Sequence, residues 1–81
     1  DLKFDPVSGM IWVTVPATDP NYPSSIVAID PKTGAIGTQI AMGVEGNHLA
    51  ITDDGQFAYM NCPADGSIRR ANLQTGKKDS I

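Results

Sequence analysis

The chain has 81 residues, a single cysteine and a formal net charge of −3. With one cysteine, a disulfide bond within the chain is excluded. A domain of this size buries only about 60–65% of its unfolded surface, so its stability alone is marginal. Oligomerisation is therefore the leading candidate for additional stabilisation. The net negative charge and the absence of a lysine and arginine cluster argue against nucleic acid as a partner. The sequence also lacks an apolar run of the roughly 20 residues that a membrane span requires.

Four short strands are predicted in the first half of the chain, near residues 2–4, 10–15, 25–30 and 35–42. They are rich in apolar and β-branched residues and are bounded by glycine, proline or aspartate. The segment DPKTG (30–34) predicts a hairpin turn, because proline presets the backbone at the second turn position and glycine adopts the left-handed conformation that closes the turn.

The second half predicts four more strands, near residues 47–52, 56–62, 67–72 and 77–81. The turn before the last strand, NLQTG (72–76), keeps the glycine of its counterpart in the first half and has no proline. Aspartate, threonine, asparagine, glycine and proline are plentiful throughout, which suits an all-β chain with many turns.

The two halves are copies of one another. Residues 2–13 align without a gap on residues 49–60, at a shift of 47, and residues 25–34 align on residues 67–76, at a shift of 42. The five-residue difference falls in one loop, which is long and proline-rich at 16–24 and shorter in the second copy. Length variation confined to one connection is what loops tolerate and strands do not.

A period of 42–47 residues with four strands per copy is typical of a β-propeller. We therefore predict an all-β fold of two four-stranded antiparallel propeller blades, the first at 1–45 and the second, whose last strand is truncated, at 46–81. Propeller rings hold about four to eight blades, so two blades predict a larger ring that is completed by self-association or by neighbouring blades of a longer parent chain.

Three segments, SIVAIDPKTG (25–34), LAITDDG (49–55) and FAYMN (57–61), resemble the YVTN-type propeller repeats of bacterial secreted and surface proteins. The resemblance covers nearly the whole chain twice over. It implies a propeller with a central channel on an exported bacterial protein that is secreted, periplasmic or on the cell surface. The family shares no catalytic motif, so the resemblance implies no enzymatic activity. Arg69 and Arg70 depart from the pattern, because they replace aliphatic residues of the first copy.

The first function hypothesis is a noncatalytic repeat module that acts as a binding or structural scaffold, with a protein or a carbohydrate as ligand. The alternative is part of a propeller-type lyase or lactonase whose site is assembled from several blades. A related resemblance, of IWVT (11–14), is to propellers of the virginiamycin B lyase type, whose chemistry needs histidine and acidic residues with a metal. The chain has one histidine, and no catalytic, cofactor or metal site is predicted.

Four residues are candidates for interaction outside the repeat core. His48 is a candidate general base or metal ligand at the channel end, weighed against a structural or solvated histidine. Asp19 and Asn21 offer oxygen ligands for calcium, but the spacing lacks the run of alternating acidic residues that wraps one ion, so turn chemistry is favoured. Tyr22 lies in the same loop, where an exposed ring could contact a glycan or a protein.

Arg69 and Arg70 are expected on opposite faces of one strand, because side chains alternate along a strand. At least one of them then faces an adjoining blade, where an ion pair between blades is favoured over a ligand anchor.

Trp12 and Tyr59 hold equivalent positions and are predicted to fill the core between blades. Cys62 is predicted to be a buried inert thiol or a lone surface thiol rather than a nucleophile.

Overall fold

The computed structural model describes residues 1–79, and these residues form two antiparallel sheets of four strands each. In both sheets the strands lie side by side in chain order. The predicted all-β class and the two four-stranded antiparallel sheets are confirmed. The first sheet contains β1 (Leu2–Asp5), β2 (Met10–Val15), β3 (Ser25–Ile29) and β4 (Ile36–Ala41), and the second contains β5 (Leu49–Ile51), β6 (Phe57–Cys62), β7 (Ser67–Asn72) and β8 (Lys77–Lys78).

β5 is the strand that differs most from its prediction, since it spans three residues rather than six. Before it, the side-chain oxygen of Asn61 accepts a hydrogen bond of 2.8 Å from the backbone N–H of His48, while the carbonyl oxygen of Asn61 accepts one of 2.9 Å from the backbone N–H of Asn47. After it, the Thr52 hydroxyl accepts a hydrogen bond of 3.0 Å from the backbone N–H of Phe57 and closes the turn. The last two residues of the strand predicted at 77–81 lie outside the described residues.

The strand pairing of the two sheets agrees with the repeat alignment. Trp12 pairs with Ala28 across β2 and β3, and Tyr59 pairs with Arg70 across β6 and β7. The two pairs are related by the shifts of 47 and 42 found in the sequence, and every other β2–β3 pair has its β6–β7 counterpart at the same shifts. Each side chain of the first three strands in one sheet therefore has a defined counterpart in the other.

The turn before the last strand of each sheet has the same chemistry in both copies. Gly34 and Gly76 adopt the left-handed conformation, with φ of 75° and 72°. Their backbone N–H groups donate to the carbonyl oxygens of Asp30 at 2.7 Å and of Asn72 at 2.9 Å. The proline of the first copy is thus not required for the turn, because glycine and the side-chain acceptor at its start are kept.

The two sheets stack face to face in the same strand order. β1 lies beside β5 at one edge of the stack, and β4 lies beside β8 at the other. The core fills the space between the sheets, so each sheet has one inward and one outward face. Trp12 and Cys62 belong to this core, with 3% and 1% of their surfaces exposed. The other buried members are Ile26, Ala28, Ile40, Met42, Leu49, Ala58, Met60 and Ala71.

Candidate interaction surfaces

The outward face of the first sheet is mainly apolar and is exposed along β1; we call it the apolar face. Leu2 and Phe4 on this face are 61% and 57% exposed. Val27, which lies between Val13 and Gln39 on the same face, is buried but does not belong to the core between the sheets. Exposed apolar surface of this kind makes the face a candidate interaction site. The apolar residues of this face include Leu2, Phe4, Ile11, Val13, Val27 and Ile29.

The outward face of the second sheet is mixed in character; we call it the mixed face. It carries two aromatic rings, an arginine and an isoleucine, Ile68, that is 63% exposed. Of the two aromatic residues predicted to fill a core between blades, Trp12 lies between the two sheets and Tyr59 lies half-buried on the mixed face. The members of the mixed face are Ala50, Phe57, Tyr59, Asn61, Ile68 and Arg70.

Arg69 lies where the two sheets meet. Its Nη1 donates a hydrogen bond of 2.8 Å to the carbonyl oxygen of Met42, just after the last strand of the first sheet. Its Nη2 pairs with the Asp65 carboxylate at 2.9 Å, and its Nε donates to the Ser67 hydroxyl at 3.4 Å. Arg69 therefore faces the neighbouring sheet as predicted. Its ion pair, however, is with the turn between β6 and β7 of its own repeat, and a backbone carbonyl takes the place of the carboxylate predicted across the two sheets.

The ion pair of Asp65 predicts a pH-dependent stability. Hydrogen bonds from Ser67 and then from Arg69 lower the pKa of Asp65 below its ordinary value of 3.8. A carboxylate with a lowered folded-state pKa stabilises the fold above its unfolded pKa, and that contribution is lost as the pH falls through the folded pKa. Asp65→Asn is therefore expected to lower the urea midpoint of unfolding at about pH 7 and to change it less at about pH 3. An equal effect at the two pH values would contradict the ion pair.

Arg70 lies on the mixed face, opposite in direction to Arg69 as predicted. Its guanidinium carbon is 4.5 Å from the centre of the Phe57 ring, and its Nε donates to the Asp79 carboxylate at 2.7 Å. The nearby Tyr59 hydroxyl, and then the pair with Asp79, raise the pKa of Arg70. The charge of Arg70 is thus held by partners in its own sheet.

The loop between β2 and β3 uses Asp19 as a turn residue. One of its carboxylate oxygens accepts backbone hydrogen bonds from Asn21 at 3.0 Å and from Tyr22 at 2.7 Å. These contacts favour turn chemistry over cation binding at Asp19. Asn21 is exposed and Tyr22 is half-buried. The Glu45 carboxylate accepts a hydrogen bond of 2.7 Å from the backbone N–H of Ala17 and so fastens this loop to the connection between the sheets.

His48 is exposed and lies directly before β5. In the repeat alignment it corresponds to Asp1, whose carboxylate accepts a hydrogen bond of 2.9 Å from the backbone N–H of Leu49. This bond joins the beginnings of β1 and β5 across the two sheets. The sequence gives no signal for this bridging role of Asp1, because the two partners are distant along the chain.

Within residues 1–79, no three or more histidine, cysteine, aspartate and glutamate side chains come together to hold a metal ion, and these residues enclose no pocket. Nor do they include a helix long and apolar enough to cross a membrane. Comparisons of the chain with protein-family models, with curated proteins and with solved structures found no match.

Proposed function

We propose that this chain is a noncatalytic repeat module that acts as a binding or structural scaffold, built from two propeller-type blades that associate with the blades of further copies. The observation that carries the proposal is the apolar face. Its residues Leu2 and Phe4 are more than half exposed, although the opposite side of the same sheet is covered by the second repeat. A sheet that is apolar on both sides needs a neighbour on each side.

The order of stacking supports the blade interpretation. Propeller blades stand side by side around a centre, with equivalent strands adjacent. The pairs β1 with β5 and β4 with β8 have this order, and the shared pairing register makes the two sheets equivalent units. The stability of a repeat protein is approximately the sum of the intrinsic stabilities of its repeats and the free energies of the interfaces between neighbouring repeats. A repeat face without a neighbour therefore lacks the stabilising contribution of an interface.

Covering the apolar face would stabilise a small domain considerably. Full burial of a leucine or phenylalanine side chain contributes roughly 1.5–3 kcal/mol, and more than half of the surface of Leu2 and of Phe4 is still exposed. Cys62 is a free, buried thiol, so the stability of the chain has no contribution from a disulfide bond. Association through this face would supply what a domain of this size otherwise lacks.

Light scattering of the whole chain over a dilution series tests the proposal. The wild-type mass is expected to exceed that of one chain and to fall on dilution, because association obeys mass action. Phe4→Glu places a charge on the apolar face and leaves the core intact, since Phe4 is 57% exposed. This variant is expected to have the mass of one chain at every concentration.

Gln74→Glu is the matched control, because it adds the same charge in the exposed turn before β8. It is expected to associate as the wild type does, and circular dichroism of both variants is expected to match the wild type. A wild-type protein that remains a single chain at the highest concentration would overturn the proposal.

The proposal extends to the location and the ligand of the module. The resemblance to YVTN-type repeats supports an exported bacterial protein. A protein or a carbohydrate is the proposed ligand of the loop at 16–24, where Asn21 is exposed and the ring of Tyr22 is half-buried. A partly exposed aromatic ring offers an apolar body and a polar tip to such a ligand.

A further inference from the structure

We infer that the partner of the apolar face is the mixed face of a second copy of this chain, in a head-to-tail contact. The inference rests on the proposed function and names the partner of the surface described there. It is based on the equivalence of the two repeats. The contact between the two sheets of one chain serves as the template for a contact between the apolar face of one copy and the mixed face of another.

The inward face of the second sheet is the internal counterpart of the apolar face. At the shift of 47, Leu2 and Phe4 correspond to Leu49 and Ile51. Leu49 is 3% exposed in the core between the sheets, and Ile51 packs against that core. The same surface is therefore covered in the second sheet and open in the first.

The covering surface within the chain is the inward face of the first sheet, which includes the buried Trp12 and Ile26. Their counterparts, at the shifts of 47 and 42, are Tyr59 and Ile68, and both lie on the mixed face. Ile26 has no exposed surface, whereas Ile68 is 63% exposed. The mixed face thus holds the counterpart of the surface that covers the second sheet, and neither sheet of residues 1–79 packs against it.

The charged groups of the mixed face are compatible with this contact. Arg70 is already paired with Asp79 at 2.7 Å. The contact within the chain also contains one arginine of the same strand, Arg69, which is paired with Asp65 at 2.9 Å. A guanidinium that enters an interface with its carboxylate partner avoids the cost of an unpaired buried charge.

The proposed contact is heterologous, since two different surfaces meet. Each copy in a complex then keeps one open face, and repetition of the contact gives a closed ring or an open filament according to the rotation between copies. The alternative is an isologous contact of two apolar faces. That arrangement has no counterpart in the contact between the two sheets of the chain.

Two complementary variants of the whole chain test the direction of the contact. Phe4→Glu blocks the apolar face, and Ile68→Glu blocks the mixed face. Each variant alone is expected to have the mass of one chain in sedimentation velocity, because a head-to-tail contact needs one face of each kind. An equimolar mixture is expected to contain a complex of two chains, which joins the apolar face of one variant to the mixed face of the other.

The controls separate loss of the contact from loss of the fold. Gln74→Glu is expected to associate alone as the wild type does. Leu2→Glu and Ala50→Glu form a second complementary pair on the same two faces, both at exposed positions, and serve if a member of the first pair does not fold.

Two results would overturn the inference and leave the proposed function in place. One is self-association of Ile68→Glu at the wild-type level, which would show that apolar faces pair with each other. The other is a mixture of the two variants that remains single chains while the wild type associates. A wild type that never associates would overturn the proposed function as well, so the two failures are distinguishable.

Discussion

Replacing Ile26 by alanine is expected to lower the free energy of unfolding by about 2–5 kcal/mol. Ile26 is fully buried between the sheets, and the neighbouring side chains can refill only part of the space that it leaves. A chain of 81 residues has a total stability on the order of 4–12 kcal/mol, so the loss is a large fraction of it. Urea denaturation followed by the fluorescence of Trp12, which lies in the same core, measures the change.

The repeat provides the control for this substitution. Ile68 has the same place in β7 that Ile26 has in β3, but 63% of its surface is exposed. In dilute solution Ile68→Ala is expected to change the free energy of unfolding by less than about 0.5 kcal/mol. Ile26→Val, which is expected to cost about 0.5–1.5 kcal/mol, keeps the measurement possible if the alanine variant does not fold. Equal effects at the two positions would contradict the assignment of inward and outward faces.

The contrast between these two isoleucines shows how far the sequence predicts the fold. Strand positions, turns and the repeat follow from local patterns, because alternation and turn chemistry act over a few residues. Which face of a strand is covered is not a local property. The run 26–29 is apolar on both faces, and the stacking of the sheets decides that Ile26 and Ala28 enter the core while Val27 points away from it.

Gly55→Ala is expected to destabilise the fold by about 2–5 kcal/mol, from two effects that add. Gly55 has a φ of 69°, a left-handed conformation that costs a residue with a Cβ atom about 1–2 kcal/mol. A Cβ atom would also lie 2.6 Å from the Cβ of Val7 in the turn between β1 and β2, and such overpacking costs about 1–3 kcal/mol. The buried carboxylate of Asp5 accepts a hydrogen bond from the Val7 backbone N–H at 3.0 Å, so Val7 cannot move away freely.

Gly66→Ala separates the two effects. Gly66 has a nearly identical φ of 70°, but a Cβ atom there would meet nothing within 4 Å. This variant is expected to lose only the backbone contribution of about 1–2 kcal/mol. The difference between the two urea denaturation curves then measures the contact between the turns of the two sheets. Equal losses would mean that this contact is absent in solution.

The sequence predicts the residues of the candidate surfaces better than their contacts. The opposite directions of Arg69 and Arg70 follow from alternation, and the structure confirms them. Alternation does not predict the hydrogen bond from Arg69 to the carbonyl oxygen of Met42, because that contact depends on where the first sheet ends relative to the second. The bond from Leu49 to Asp1 has the same origin: it joins residues that only the stacking of the sheets brings together.

The connection at 42–48 joins the last strand of one sheet to the first strand of the next. Because this short connection makes the contact between the two sheets intramolecular, their effective concentration, on the order of millimolar, does not fall when the protein is diluted. The same surfaces on separate copies meet without a tether and lose translational freedom when they bind. Dilution should therefore separate copies long before it parts the sheets, and several copies joined in one polypeptide would keep every contact at any concentration.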